Sequence, residues 1–150
     1  REHGAKDKDL IVRITADCPC VDPKSIDQML GYFNPLGDEL LYNHNDSISS
    51  FPIEIDGLDI EVMTFEALEK AYKNAKDPED LEHVTKWMYG NLKSSRVQCG
   101  WTDSARTELY PDNIVRLSVN TEEDYQRVCQ VYMSLGDDFD TRYLMNYLSL

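Results

Sequence analysis

Cysteine is sparse: the four in this chain, Cys18, Cys20, Cys99 and Cys129, are too few and too unevenly spaced to staple a fold. Cys18 and Cys20 form C-x-C, half of a zinc-ligand pattern. Neither Cys99 nor Cys129 has a close-spaced second cysteine, and the three His are scattered, which argues against a structural zinc site. No apolar run approaches the roughly 20 residues that cross a bilayer, and no hydrophobic signal segment opens the sequence. The expectation is a cytoplasmic protein with no membrane partner. Basic residues are also in short supply, 15 Lys plus Arg against 28 acids, for a formal net charge of -13. Such a surface repels a phosphate backbone, so nucleic acid is excluded as a broadly contacting partner. A small phosphate-bearing ligand is not excluded, because a few local donors and a divalent cation offset an unfavourable global field. There is no glycine-rich phosphate loop and no defensible Ser-His-Asp set, so neither a P-loop kinase nor a triad hydrolase fits.

What is present is enough apolar material, 41% of 150 residues, for one core. Residues 10–15 are β-branched and interrupted only by Arg13, which predicts an internal strand opening into Ala16-Asp17-Cys18-Pro19. Asp22 before Pro23 supplies an N-cap and a proline at the first helical position, and Ile26, Met29, Leu30 and Phe33 recur at helical spacing. A short strand is expected at 40–42, an irregular polar stretch at 43–50, a turn at Asp56-Gly57 and an alternating strand at 58–63. Thr64 caps a helix with the stripe Phe65, Leu68, Ala71, Tyr72 and Ala75; Pro78 breaks it, and a second helix is expected over 79–89. A strand at 95–100 and a loop at 101–113 follow, with Arg106 in the loop as a candidate ligand contact. The strand 114–119 leads into a helix opened by Thr121 and Asp124 and stopped by Gly136, and Asp140 starts a last helix. Without repeats or linkers, 1–150 reads as one structural unit of alternating helices and strands, class α/β.

Ligands of open α/β sheets bind beyond the carboxyl ends of strands, where this chain places Asp17 and Asn120. Asp17 either organises the Asp-Cys-Pro turn or supplies a hard oxygen to a divalent cation. Asp59 and Glu61, two apart on a strand, share a side; they either flank a sugar or metal or form the wet face of an edge strand. His83, beside Glu82, either binds phosphate or is a satisfied structural histidine. His44 is a weaker, loop-borne candidate.

Val12-Arg13-Ile14-Thr15-Ala16-Asp17-Cys18-Pro19, followed by Val21-Asp22-Pro23, resembles the V-R-I-T-x-D-C-P and I-D-P segment of the cytidylyltransferase family of spore-coat polysaccharide biosynthesis, relatives of the enzymes that activate acidic sugars as CMP-sugars. Further matching blocks are Phe51-Pro52 with Asp56-Gly57-Leu58-Asp59-Ile60-Glu61-Val62, the Thr64-Phe65-Glu66-Ala67-Leu68 helix start, Glu82-His83-Val84-Thr85, and Arg116-Leu117-Ser118-Val119-Asn120-Thr121. They run in order over nearly the whole chain.

The resemblance implies a three-layer GT-A-like α/β nucleotidyltransferase fold with a mostly parallel sheet, lacking the family's usual N-terminal strands. It implies transfer of CMP from CTP to a sugar or sugar acid, with pyrophosphate release and Mg2+ as cofactor, for surface polysaccharide synthesis. Asp17 and Asn120 match the metal-binding positions; Asn120 replaces the family's aspartate and offers a neutral oxygen. Asp17, Asp59 and Glu61 are the expected catalytic residues, and Asp56, Gly57, Glu82, His83 and Thr85 the expected substrate contacts. Ser50 and Leu81 stand where relatives place arginines. The family's glycine- and arginine-bearing nucleotide loop is not among these residues, and the sequence starts at Arg1, as if a domain were entered partway. The expectation is a carboxyl-terminal part, inactive alone, that forms a homodimer or pairs with a complementing N-terminal segment. The alternatives are a non-catalytic interaction module of the same fold and a nucleotide-sugar glycosyltransferase.

Overall fold

A computed structural model of the chain describes residues 4–34, 37–43, 54–97 and 114–148. The first strand, β1 (Leu10–Arg13), is followed by helix α1 (Pro23–Tyr32), β2 (Leu40–Tyr42), β3 (Glu54–Asp56) and β4 (Glu61–Thr64). Then come α2 (Phe65–Asn74), α3 (Pro78–Glu82), α4 (Lys86–Asn91), β5 (Ser94–Arg96), β6 (Ile114–Arg116), α5 (Glu122–Leu135) and α6 (Thr141–Leu148). Among the described residues no helix is long and apolar enough to cross a membrane.

The helix starts follow local chemistry. Asp22 accepts from the Ser25 N–H at 3.0 Å with Pro23 in the first turn, and Thr64 accepts from the Ala67 N–H at 3.1 Å. Thr121 and Asp124 form a reciprocal capping box that opens α5, and Gly136, at φ 80, closes it. The hydroxyl of Thr121 and the guanidinium of Arg127 hold the Asp124 carboxyl down at about 2.

The helix expected over 79–89 is two helices instead. His83 caps α3 and Thr85 starts α4, but the Thr85 hydroxyl points to Glu61 and makes no cap. A threonine committed to a tertiary partner ends the helical run that its neighbours favour.

Four strands form one sheet in the order β1-β4-β2-β5, and β3 and β6 form a second, parallel pair. β4 runs antiparallel to both β1 and β2, while β2 and β5 are parallel. The sheet is therefore mixed, which corrects the expectation of a mostly parallel one. Strand-helix alternation does describe β1, α1 and β2, which run the same way. β4 enters between them from β3 without an intervening helix, and so runs against both.

β4 also departs from the alternating edge strand expected at 58–63. It starts at Glu61, and all four of its residues are buried. Val12, Leu41, Ile60 and Val62 pack with Met29 and Phe33 of the α1 segment on one face. Leu40 and Met63 pack with Ala67, Ala71 and Met88 of α2 and α4 on the other. A strand flanked at both edges and covered on both faces has no wet side. A third cluster joins Leu58, Val115 and Leu117 to Val128, Val131, Leu144 and Met145 of α5 and α6.

Asp22 ties α1 to α6. It is 4% exposed and accepts from Ser25 Oγ at 3.0 Å, from the Thr141 N–H at 2.9 Å and from the Thr141 hydroxyl. Burial pushes its carboxyl up, but these hydrogen bonds together outweigh burial and lower it. Asp22→Asn keeps a residue suited to the N-cap but replaces one buried acceptor oxygen by a donor and removes the charge, and is expected to cost about 1.5–3 kcal/mol of stability. A carboxyl lowered on folding contributes stability above its unfolded value, near 3.9, and loses it as pH falls through the folded one. In thermal melts the gap between wild type and variant should be full at pH 6 and shrink below about pH 4; a gap that persists unchanged into strong acid would refute this role.

Candidate active site

β1, β2 and β5 point one way and β4 the other, so the carboxyl ends of β1 and β2 meet the amino end of β4. Asp17 follows β1, Asn43 follows β2, and Asp59 precedes β4. The second sheet delivers Asp56-Gly57 after β3 and Ser118 to Asn120 after β6. The Val119 N–H donates to the Asp17 carbonyl at 2.8 Å, and the Leu117 N–H to the Asp56 carbonyl at 2.8 Å. The first bond joins the two sheets at their polar ends, and the second extends the β3–β6 pairing past its last ladder residue.

Gly57 lets the ends of β3 and β6 stay in close contact beyond their ladder. Its φ is +101, and a Cβ there would lie 2.2 Å from the Ser118 nitrogen and 2.5 Å from the Leu117 carbonyl carbon. Neither neighbour is a side chain that can swing away. The close approach lets Ser118 donate to an Asp56 carboxylate oxygen at 2.5 Å, while Asn120 Nδ2 donates to Ser118 Oγ at 3.2 Å. Asn120 is exposed, and its amide nitrogen is turned to Ser118, so its Oδ1 is available as a neutral oxygen ligand.

Asp59 joins the cluster through Cys18. The Asp59 N–H donates to the Cys18 sulfur, which also pairs with Thr15 Oγ1 at 3.2 Å and donates to Asp17 Oδ1 at 3.9 Å. Burial pushes the Cys18 thiol up, and the charges of Asp59 and Asp17 add to that push; the hydrogen bonds from Thr15 and the Asp59 backbone oppose it without cancelling it. Burial likewise raises Cys20, to about 11. Both stay neutral near pH 7, as packing groups rather than nucleophiles. Cys18, Cys20 and Cys129 are free thiols.

Glu61 lies elsewhere in this polar end. It is 3% exposed, its Oε2 accepts from Arg13 Nη1 at 2.6 Å, and its Oε1 accepts from the Thr85 hydroxyl at 2.8 Å and from the Tyr89 hydroxyl. Register explains the meeting, since Arg13 and Tyr42 are the cross-strand partners of Glu61 on β1 and β2. Tyr89 stacks edge-on against Tyr42 at 4.9 Å. Burial foremost, and then Glu61, push the Tyr89 phenol up, so it stays a donor.

The structure thus brings Asp17, Asp56, Gly57, Asp59 and Asn120 together and places Thr85 in the Glu61 network. Glu82 and His83 are exposed on α3 and its cap, whereas Thr85 is buried. His44, Ser50, Phe51-Pro52, Cys99, Arg106 and the loop 101–113 lie outside the described residues. Sequence reasoning missed Asn43, Ser118 and Tyr89. Asn43 clamps the segment around Asp59, donating to the Leu58 carbonyl at 3.0 Å and accepting from the Ile60 N–H at 2.7 Å. A polar residue directly after a short buried strand was the available signal.

Among the described residues no three His, Cys, Asp or Glu stand close enough to hold a metal ion by themselves. A magnesium ion needs only one or two protein oxygens when substrate phosphates and waters complete its shell. The hard oxygens of Asp17 and Asn120 fit that shared arrangement and not a dedicated protein cage.

No family model matches the sequence. An uncharacterised protein of Methanocaldococcus jannaschii is 37% identical over 132 residues, covering 88% of this chain and 48% of that protein. The spore coat polysaccharide biosynthesis protein SpsF of Bacillus subtilis is 28% identical over 134 residues, 85% of this chain and 49% of its own length. This chain therefore spans about half the length of the curated relatives it matches. A solved cytidylyltransferase from Leptospira borgpetersenii serovar Hardjo-bovis superposes with a TM-score of 0.75 at 27% identity, over 94% of this chain and 56% of that one. The likeness in fold over nearly the whole chain, together with the sequence match to SpsF, supports an assignment to the cytidylyltransferase superfamily.

Proposed function

We propose that the protein containing this chain transfers CMP from CTP to a sugar or sugar acid with release of pyrophosphate, for surface polysaccharide synthesis. The observation that carries this reading is the convergence of Asp17, Asp56-Gly57 and Ser118 to Asn120 at one end of two joined sheets, in a chain shaped like a cytidylyltransferase.

In this reading a sugar oxygen forms a bond to the α-phosphorus of CTP as the bond to the bridging β-phosphate oxygen breaks. Asp59 receives the proton from the attacking oxygen. Asp56, fixed by Ser118, and the Gly57 backbone shape the sugar side of the site, with Thr85 behind it. Glu82 and His83 contribute at the outer margin. A divalent cation such as Mg2+, held by Asp17 and Asn120 with the substrate phosphates, would supply charge neutralisation. Glu61 acts through Arg13, because its carboxylate oxygens already accept from three side chains.

The test is pyrophosphate release by the full gene product with CTP, Mg2+ and a panel of sugars and sugar acids. Release is expected with CTP in preference to ATP, GTP or UTP, and Asp17→Ala should lower it about 100-fold, the scale of a lost electrostatic contact at a reacting centre. Equal turnover by wild type and Asp17→Ala would remove Asp17 from the site, and no release with any acceptor would overturn the reading.

A further inference from the structure

An arginine at the end of a short aliphatic strand requires a reason. Arg13 closes β1, four residues before Asp17, and its side chain is 31% exposed beside a Glu61 side chain that is 4% exposed. A purely structural Arg-Glu pair gains most from two parallel N–H bonds to both carboxylate oxygens. Here only Oε2 receives Arg13, through Nη1, because Oε1 is occupied by the hydroxyls of Thr85 and Tyr89. Among the described residues the Nη1 bond is the one side-chain hydrogen bond that Arg13 makes. The guanidinium is thus anchored at one corner, and its other donors belong to a side chain that stays partly exposed.

The surroundings give those donors a use. Asp17, Asp56 and Asp59 gather at the same end of the sheets, in a chain of net charge -13. An anionic substrate entering there meets repulsion unless a directed cation receives it. Among arginine's properties, a fixed planar fork suits two oxygens of one carboxylate or phosphate, which a lysine serves only as a point charge.

We propose that Arg13, held by Glu61, Thr85 and Tyr89, is an anion-binding residue of this site that receives a carboxylate or phosphate group of the substrate. The inference rests on the nucleotidyl-transfer reading and names the residue that handles the substrate's negative charge. Glu61, Thr85 and Tyr89 are then positioning residues. They fix the guanidinium without touching substrate.

The test uses the full gene product in calorimetric titrations with two probes, CTP with Mg2+ and N-acetylneuraminate, alongside pyrophosphate release. Arg13→Lys keeps the charge opposite Glu61, so the melting temperature should stay close to that of wild type, and Arg13→Gln serves as a second variant. Binding is expected to weaken by about tenfold or more in one arm. Weakening for CTP identifies a phosphate as the group received; weakening for the sugar acid identifies its carboxylate. Unchanged affinity in both arms for both variants, with wild-type turnover intact, overturns the role of Arg13 alone. A wild-type protein that binds neither probe and releases no pyrophosphate overturns the inference together with the reading beneath it.

Discussion

Replacing Gly57 by alanine is expected to destabilise the protein by about 3–5 kcal/mol and to pull apart the polar ends of β3 and β6. Two independent costs add. The backbone at φ +101 is one that L residues rarely adopt, worth roughly 1–2 kcal/mol. The new methyl would also sit 2.2 Å from the Ser118 nitrogen and 2.5 Å from the Leu117 carbonyl carbon, atoms of a strand end held by its own ladder to β3. Relieving that overlap means moving β6 away from Asp56, which breaks the Leu117 to Asp56 backbone bond and the Ser118 to Asp56 side-chain bond. Thermal melts should show a fall in Tm of about 10 °C. The same substitution at Gly90, where a Cβ meets nothing within 4 Å, should leave stability unchanged or slightly raised. Equal effects at the two positions would contradict the close packing assigned to Gly57.

Glu61→Ala carries the second large expectation, a loss of about 3–4 kcal/mol. Its carboxylate is the shared acceptor for Arg13, Thr85 and Tyr89, and truncation orphans all three at once. Arg13, with 31% of its side chain exposed, can turn to water; the Thr85 hydroxyl, in a residue 4% exposed, cannot. The cavity left between β4 and α4 adds to the cost. Glu61→Gln separates the parts, because its amide oxygen can still accept from both hydroxyls while its amide nitrogen faces Arg13. It should lose about half as much in chemical denaturation, with an unchanged m-value. If glutamine and alanine cost the same, the two hydroxyls contribute nothing and the network reduces to the ion pair.

The parts of this fold that sequence reveals are those decided locally. Asp22-Pro23, Thr64 and the Thr121-Asp124 pair mark helix starts because a cap acts within four residues of its own position. The direction of β4 is not local. It depends on pairing with β1 across about 50 residues, and nothing in the Glu61–Thr64 segment states which way it runs. Glu61 illustrates the same limit. An acid alternating with Val62 reads as a wet face, and its burial becomes intelligible only through Arg13, which in isolation looks like a break in an apolar strand.

The site divides along the same line. Asp17 and Asn120 were legible as polar residues that come soon after strands, and Asp56-Gly57 because a turn was required there. Their assembly was not, since it depends on the Val119 to Asp17 and Ser118 to Asp56 bonds between distant segments. Thr85 was legible as a residue of interest and illegible as a buried donor to Glu61, whereas Glu82 and His83, its neighbours in sequence, face outward. The break between α3 and α4 separates residues that a motif joins.

The fate of the α-phosphate decides whether nucleotidyl transfer takes place. The full gene product is incubated with CTP labelled at the α-phosphate, Mg2+ and an acceptor sugar, and the labelled products are separated. Nucleotidyl transfer puts the label in a sugar-linked CMP product, releases one pyrophosphate for each, and loses both with Asp17→Ala. Label that remains in CTP, or that appears only as free CMP or CDP whatever sugar is offered, would contradict it.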